Sequence, residues 1–107
     1  MTEHLAAYGT LKQSSGQQQD LGVAHMLRFV GPCTLPGRLI NLGAYPALVK
    51  GEGRVEAELF QVLNPAVWPI LDAYEGDEYT RIKIQLLAPP IYAWTYFHAD
   101  PAAEDLS

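Results

Sequence analysis

Proline and glycine recur every few residues through the middle of the chain. The stretch 32–49 reads PCTLPGRLINLGAYPALV and carries Pro32, Pro36, Gly37, Gly43 and Pro46. This spacing is too dense for a helix, because each proline removes a backbone donor and each glycine weakens helical order. It favours short, bent β-strands instead. The chain is therefore constrained first towards a sheet.

The next segment shows the clearest strand pattern. Residues 53–63 read GRVEAELFQVL, in which Val55, Ala57 and Leu59 alternate with Arg54, Glu56 and Glu58. Successive side chains of a strand point to opposite faces of the sheet. The alternation therefore predicts one buried and one solvent-facing side.

Three further segments are expected to be strands: 4–11, 79–87 and 91–97. Segment 23–31 fits either a short helix or a strand, since its hydrophobic period does not distinguish the two. Consecutive strands with short connections usually pair antiparallel. An antiparallel sheet, curled or barrel-like, is the expected arrangement.

One helix is expected between Asn64 and Gly76. Asn64 can cap its start, Pro65 suits the first helical position, and Gly76 is a natural C-terminal stop. Pro69 conflicts with this reading and is expected to kink the helix or shorten it at its start. One apolar face would hold Val67, Trp68, Leu71 and Tyr74.

These segments predict a single α+β domain over residues 1–107. Hydrophobic residues make up 49% of the sequence and charged residues 18%, which suits one core and excludes a disordered chain. The fold class follows from a run of strands with one or two short helices.

Composition and charge exclude several functional classes. The net charge is −5, and seven Lys and Arg residues form no basic stripe, so no nucleic-acid partner is expected. No apolar run approaches the roughly 18 residues of a membrane span, and no signal-peptide pattern is present, so we expect no membrane partner and a cytoplasmic location. Cys33 is a single cysteine, and His4, His25 and His98 lack ligand spacing, so we expect no metal.

An acidic cluster stands at the end of the predicted helix. The stretch 71–81 reads LDAYEGDEYTR and contains Asp72, Glu75, Asp77 and Glu78. Either the cluster is a solvated loop, or one of its acids is held in a site and used. The spacing does not match a calcium-binding loop.

Three pieces of sequence together resemble the gamma-glutamylcyclotransferase-like family, and in particular its small bacterial-type members. They are YGTLK at 8–12, GRLINLGAYPALV at 37–49, and LDAYEGDEYTR at 71–81 followed by AWTYF at 93–97. The resemblance spans residues 8–97. It implies a small, mostly antiparallel β-barrel flanked by short helices. It also implies that the α-amine of a γ-glutamyl amide attacks its own γ-carbonyl, which forms oxoproline and releases an amine without a metal or cofactor.

The resemblance marks Glu75 as the general base and acid. A free α-amine has a pKa near 8 and an ordinary glutamate a pKa of about 4.3, so a useful base needs a pKa raised towards about 6–7. Burial and like-charged neighbours such as Asp72 are expected to raise it.

The resemblance also implies a substrate cradle around a glycine turn. Its residues are Tyr8, Gly9, Thr10 and Leu11. Main-chain amides in such a turn suit either the substrate α-carboxylate or the developing oxyanion. Tyr79 either lines the pocket or donates a hydrogen bond to the base, or it packs in the core. Arg81 is expected to be a sheet-surface residue or an ion-pair partner, whereas Trp94 and Tyr96 are expected to be core aromatics.

The expected activity therefore belongs to the transferase or lyase type, in glutathione-related metabolism. The expected partner is a small-molecule γ-glutamyl substrate: a dipeptide, an isopeptide or a γ-glutamylamine. We expect a monomer or a weak homodimer. The alternative is a non-catalytic member of the same fold that binds a small carboxylate or has a regulatory role.

Overall fold

The computed structural model describes residues 2–9, 12, 16–41 and 46–98. A single turn of 3-10 helix at Ala24–Met26 leads into the second strand, which answers the open question about segment 23–31. In chain order the other elements are β1 (Glu3–Ala7), α1 (Gln17–Asp20), β2 (Leu27–Asn41), β3 (Pro46–Val62), α2 (Val67–Glu75), β4 (Tyr79–Gln85) and β5 (Tyr92–His98). Neither helix of the described ranges is long and apolar enough to cross a bilayer.

The strands form one five-stranded mixed sheet in the order β2-β3-β1-β5-β4. Three neighbouring pairs are antiparallel, as expected, whereas β1 and β5 are parallel. The expectation of a barrel is wrong: the sheet does not close. Within the described residues, the edge strand β2 reaches the segment after β4 through one bridge, between Thr34 and Ala88. Pro89 and Pro90 follow at once, and they have no N–H with which to extend this pairing.

The proline- and glycine-rich segment forms long strands with irregularities rather than several short strands. β2 has 15 residues and β3 has 17. Their register steps from the pair Pro36–Arg54 to the pair Arg38–Val49, so residues 50–53 of β3 lie opposite Gly37. Gly37 has a φ of +142°, and a Cβ there would lie 3.0 Å from the carbonyl oxygen of Val49. The irregularity separates residues 46–49 from the rest of β3 and lets them meet β5.

Two hydrophobic clusters fill the molecule, one on each face of the sheet. The alternation predicted for β3 is confirmed, because Val55, Ala57 and Leu59 are all buried. These residues belong to the first cluster, which β2 and β5 complete. The second cluster lies under α2, whose buried residues are Val67, Trp68 and Leu71.

Helix α2 begins later than its capping pattern predicts. Asn64 does not cap the helix; its side-chain oxygen accepts a hydrogen bond from the Ala66 N–H at 2.9 Å, in a turn before the first helical residue. Because α2 starts at Val67, Pro69 is its third residue, where an N–H has no helical partner. The predicted shortening is therefore confirmed. The predicted stop is also confirmed, since Gly76 takes a φ of +82° at the C-cap.

Candidate functional site

The candidate site begins where β1 ends. β1 lies between β3 and β5, but further along β5 these two strands pair directly, at Leu48 and Phe97. Tyr8, the first residue after β1, is buried across this junction. Its hydroxyl donates a hydrogen bond to the carbonyl oxygen of Tyr96 at 2.6 Å and accepts one from the Leu48 N–H at 3.2 Å. Tyr8 therefore fixes the start of the loop that follows β1.

The predicted substrate cradle is described only in part. Gly9 is half-buried, and its carbonyl oxygen accepts a hydrogen bond from the Lys12 N–H at 3.1 Å. Thr10 and Leu11 lie outside the described residues. Tyr8 and Gly9 are thus the two cradle residues whose positions the structure gives.

Glu75 is the last residue of α2, directly before the turn at Gly76. Its side chain is half-buried, and burial raises its pKa to about 7. A carboxylate withdrawn from water loses hydration, so its neutral form gains stability relative to the charged form. The charge of Asp72 was expected to raise the pKa of Glu75 further. Burial alone accounts for the shift, and the charge of Asp72 is balanced by its ion pair with Arg81. Burial alone places Glu75 in the range that a general base requires at neutral pH.

Glu75 and Tyr8 face the same small region. Burial is the main cause that raises the pKa of Tyr8; the Leu48 N–H opposes it, and the charges of Glu75 and Tyr79 raise it further. The charge of Glu75 also raises the pKa of Tyr96. Since electrostatic interactions weaken with distance, these couplings place Glu75 near Tyr8 and Tyr96, and Tyr79 near Tyr8. The structure therefore brings together the acid and two aromatic residues, Tyr8 and Tyr79, singled out from the sequence.

Tyr79 is the first residue of β4 and packs against the cluster under α2. Its ring meets the His98 ring edge-on, with the centroids 4.9 Å apart. It is half-buried. The packing role is therefore confirmed, whereas lining the pocket or donating to the base stays a prediction.

A network around Arg81 adjoins the site. The Arg81 guanidinium donates to both carboxylate oxygens of Asp72, at 3.0 and 3.3 Å. It lies over two adjacent indole rings, 4.5 Å from the centroid of Trp68 and 4.7 Å from that of Trp94, and these two centroids are 6.0 Å apart. Both indole N–H groups donate to Glu3, at 3.3 and 2.9 Å. Arg81 is therefore an ion-pair partner, held in a fixed place.

Tyr96 joins this network to Tyr8. The Tyr96 hydroxyl donates to Asp72 Oδ1 at 2.6 Å, while its carbonyl oxygen accepts from Tyr8. Burial and the bond to Asp72 raise the pKa of Tyr96, whereas the charge of Arg81 lowers it. The expectation that Tyr96 is a core aromatic is confirmed, because Tyr96 is buried in the second cluster. Its hydroxyl bond to Asp72 was not predicted, and no local spacing pattern indicates a bond between residues 24 positions apart.

Comparison with known proteins gives a consistent result. The model of the family described as "Gamma-glutamyl cyclotransferase, AIG2-like" matches residues 5–107. The Escherichia coli K12 protein "Gamma-glutamylcyclotransferase family protein YtfP" is 34% identical over 97 residues, with 88% of this chain and 80% of that protein covered.

Solved structures agree. The solution structure of Escherichia coli ytfP matches with a TM-score of 0.66 at 30% identity, covering 94% of this chain and 86% of that one. A crystal structure of a mouse AIG2-like protein matches with a TM-score of 0.71 at 20% identity, covering 94% of this chain and 81% of that one, which shows a shared fold. The chain belongs to the gamma-glutamyl cyclotransferase, AIG2-like family.

Proposed function

We propose that this protein is a cyclotransferase that converts a γ-glutamyl amide to oxoproline and a free amine. The observation that carries the proposal is the position of Glu75, a half-buried carboxyl group with a pKa raised to about 7, beside Tyr8 at the end of β1. Family membership supports the reaction class.

Glu75 would act first as the base. The substrate α-ammonium must lose a proton before its nitrogen can attack, and its pKa is about 8. Transfer of that proton to an ordinary glutamate, with a pKa of about 4.3, is unfavourable by roughly 3.7 pKa units, whereas transfer to a group with a pKa of about 7 is unfavourable by about one. The raised pKa therefore removes most of the cost of forming the free amine.

The same group would then act as the acid. The amine nitrogen attacks the γ-carbonyl carbon, a C–N bond closes the five-membered ring, and negative charge develops on the carbonyl oxygen. As the carbonyl re-forms and the old C–N bond breaks, the protonated Glu75 gives its proton to the departing nitrogen. The attacking nitrogen still carries two hydrogens, and it releases one as a proton to water, so that the ring keeps a single lactam N–H. The products are oxoproline and the free amine, and Glu75 is again a carboxylate.

The rest of the site would hold the substrate in the ring-closing conformation. The reaction is intramolecular, so fixing one set of rotamers supplies much of the rate enhancement. We propose that the cradle at residues 8–11 binds the α-carboxylate or the oxyanion through main-chain N–H groups, beside the Tyr79 ring.

The test is oxoproline release from three substrates: a γ-glutamyl dipeptide, a γ-glutamyl isopeptide of lysine and a γ-glutamylamine. We expect Glu75→Gln to lower the rate by roughly 10²-fold or more, because glutamine cannot accept the proton. The control is Glu56→Gln, which changes an exposed carboxylate on β3.

An unchanged rate in Glu75→Gln would contradict the proposed base. If the wild-type protein released no oxoproline from any of the three, yet oxoproline raised its melting temperature, the protein would be a binding member of the family.

A further inference from the structure

The ion pair between Arg81 and Asp72 differs from an ordinary surface ion pair. Such pairs contribute little when both side chains move freely in water. Here the Arg81 side chain is 25% exposed and packs over two adjacent indole rings, and Glu3 fixes both rings through their N–H groups. The guanidinium therefore meets Asp72 in one defined geometry, with two hydrogen bonds.

Asp72 occupies a sensitive position relative to Glu75. The two acids are three residues apart on α2, which makes them neighbours on the helix surface. A free carboxylate at this distance disfavours ionisation of Glu75, in addition to the effect of burial. Asp72 also accepts the Tyr96 hydroxyl bond, and it thereby ties the end of α2 to β5.

We propose that Asp72 and Arg81 are positioning residues for Glu75. Arg81 neutralises Asp72 next to the base. Asp72 also fixes the end of α2 against β5, where Tyr96 accepts the hydrogen bond from Tyr8. This inference rests on the proposed function of Glu75. It assigns the two tryptophans and Glu3 a supporting role, since they keep the guanidinium in place.

The titratable and charged groups around Glu75 come from several elements. Tyr8 after β1 and Tyr96 on β5 feel its charge directly, and Asp72 lies three residues away on its own helix. On β4, Tyr79 interacts with Tyr8, and Arg81 pairs with Asp72. Tyr8 and Tyr96 have raised pKa values and stay neutral at neutral pH. Asp72 and Arg81 form the ion pair of this set.

The test is a ¹³C NMR titration of the Glu75 carboxyl carbon in the wild type, Arg81→Met, Asp72→Asn and the double variant. Methionine keeps an apolar chain over the two indoles but removes the charge. For charges roughly 6 Å apart and an effective dielectric constant of about 40–80, Arg81→Met raises the pKa of Glu75 by about 0.5–1 unit. Asp72→Asn leaves the guanidinium unopposed and lowers it. The double variant lies near the wild type.

A merely structural role predicts a different pattern. Loosening of α2 would admit water to Glu75 and lower its pKa in all three variants, since burial is what raises it. That pattern, or an unmoved pKa in both single variants, overturns the inference. Arg81→Lys keeps the charge and is expected to restore the wild-type pKa, which covers the case in which Arg81→Met fails to fold.

Kinetics give a second measurement that separates this inference from the proposed function. If the protein is a cyclotransferase, the acidic limb of the plot of kcat/KM against pH shifts with the pKa of Glu75 in each variant. In the same variants kcat falls by a larger factor than KM rises. If the NMR pattern is as expected but no variant releases oxoproline, the positioning role stands and the proposed function fails. If oxoproline forms and the acidic limb does not move, the positioning role fails and the function stands.

Discussion

The raised pKa of Glu75 has a consequence for stability as well as for chemistry. In the unfolded chain this carboxyl group has its ordinary pKa of 4.5, and in the folded protein the pKa is about 7. Below pH 4.5 the group is protonated in both states and has no effect on their balance. Between pH 4.5 and 7 only the unfolded chain has lost the proton, so the free energy of unfolding falls as the pH rises. Above pH 7 the loss is complete.

The size of this loss follows from the two pKa values. Their difference is 7 − 4.5, or about 2.5 pH units, and each unit corresponds to about 1.36 kcal/mol, which gives an upper limit of about 3.4 kcal/mol. Because the half-buried side chain keeps contact with water, we expect about half of this, roughly 1.5–2 kcal/mol. Glu75→Gln cannot ionise, so the variant should lack this part of the pH dependence.

The assay is urea unfolding at constant ionic strength and at pH 4.5, 6, 7 and 8, followed by the fluorescence of the two tryptophans. The difference in the free energy of unfolding between Glu75→Gln and the wild type should grow by roughly 1.5–2 kcal/mol in favour of the variant from pH 4.5 to pH 8. Glu56→Gln, at an exposed position, should keep the wild-type dependence. Parallel curves for Glu75→Gln and the wild type would refute the reasoning, as would a difference that changes in the opposite direction.

Three further outcomes follow from the packing. Tyr8→Phe should lower the free energy of unfolding by about 2–4 kcal/mol in urea titrations, because it leaves two backbone groups without their hydrogen bonds; an unchanged midpoint would contradict the bridging role. Gly37→Ala should cost roughly 2 kcal/mol or more because its φ is +142° and its Cβ meets backbone, whereas Gly51→Ala, whose Cβ would only touch Arg38 side-chain atoms at 3.7 Å, should cost less than about 1 kcal/mol; equal costs would argue against the close strand approach. Burial raises the pKa of Cys33 to about 11, so at pH 8 only about 0.1% is thiolate and a disulfide reagent should react at the rate of unfolding; immediate labelling would show that the thiol is accessible.

Local patterns in the sequence predicted local structure well. The alternation around Val55 and the glycine stop at Gly76 each depend on a few neighbouring residues, and both are confirmed. Asn64 did not indicate the start of α2 correctly, because either Pro65 or Pro69 can stand in the first turn of a helix. The helix begins at Val67, and its second residue, Trp68, is packed in the cluster beneath it.

Long-range features were out of reach. The Tyr8 hydroxyl bonds to residues 40 and 88 positions away, and no spacing rule indicates such partners. The barrel expectation failed for the same reason, because closure depends on whether two edge strands continue to pair. Glu75 was identified from a family motif, but the cause of its raised pKa was attributed partly to Asp72, whose charge Arg81 balances across 9 residues of sequence.

The two prolines of β2 also bear on how copies of the protein meet. Pro32, Thr34 and Pro36 alternate along the outer edge of the sheet, and the Thr34 N–H already points away from β3 to the Ala88 carbonyl oxygen. Pro32 and Pro36, two residues to either side of Thr34, have no N–H. An incoming strand would find no free donor along this stretch, so the edge resists the intermolecular strand addition that begins aggregation.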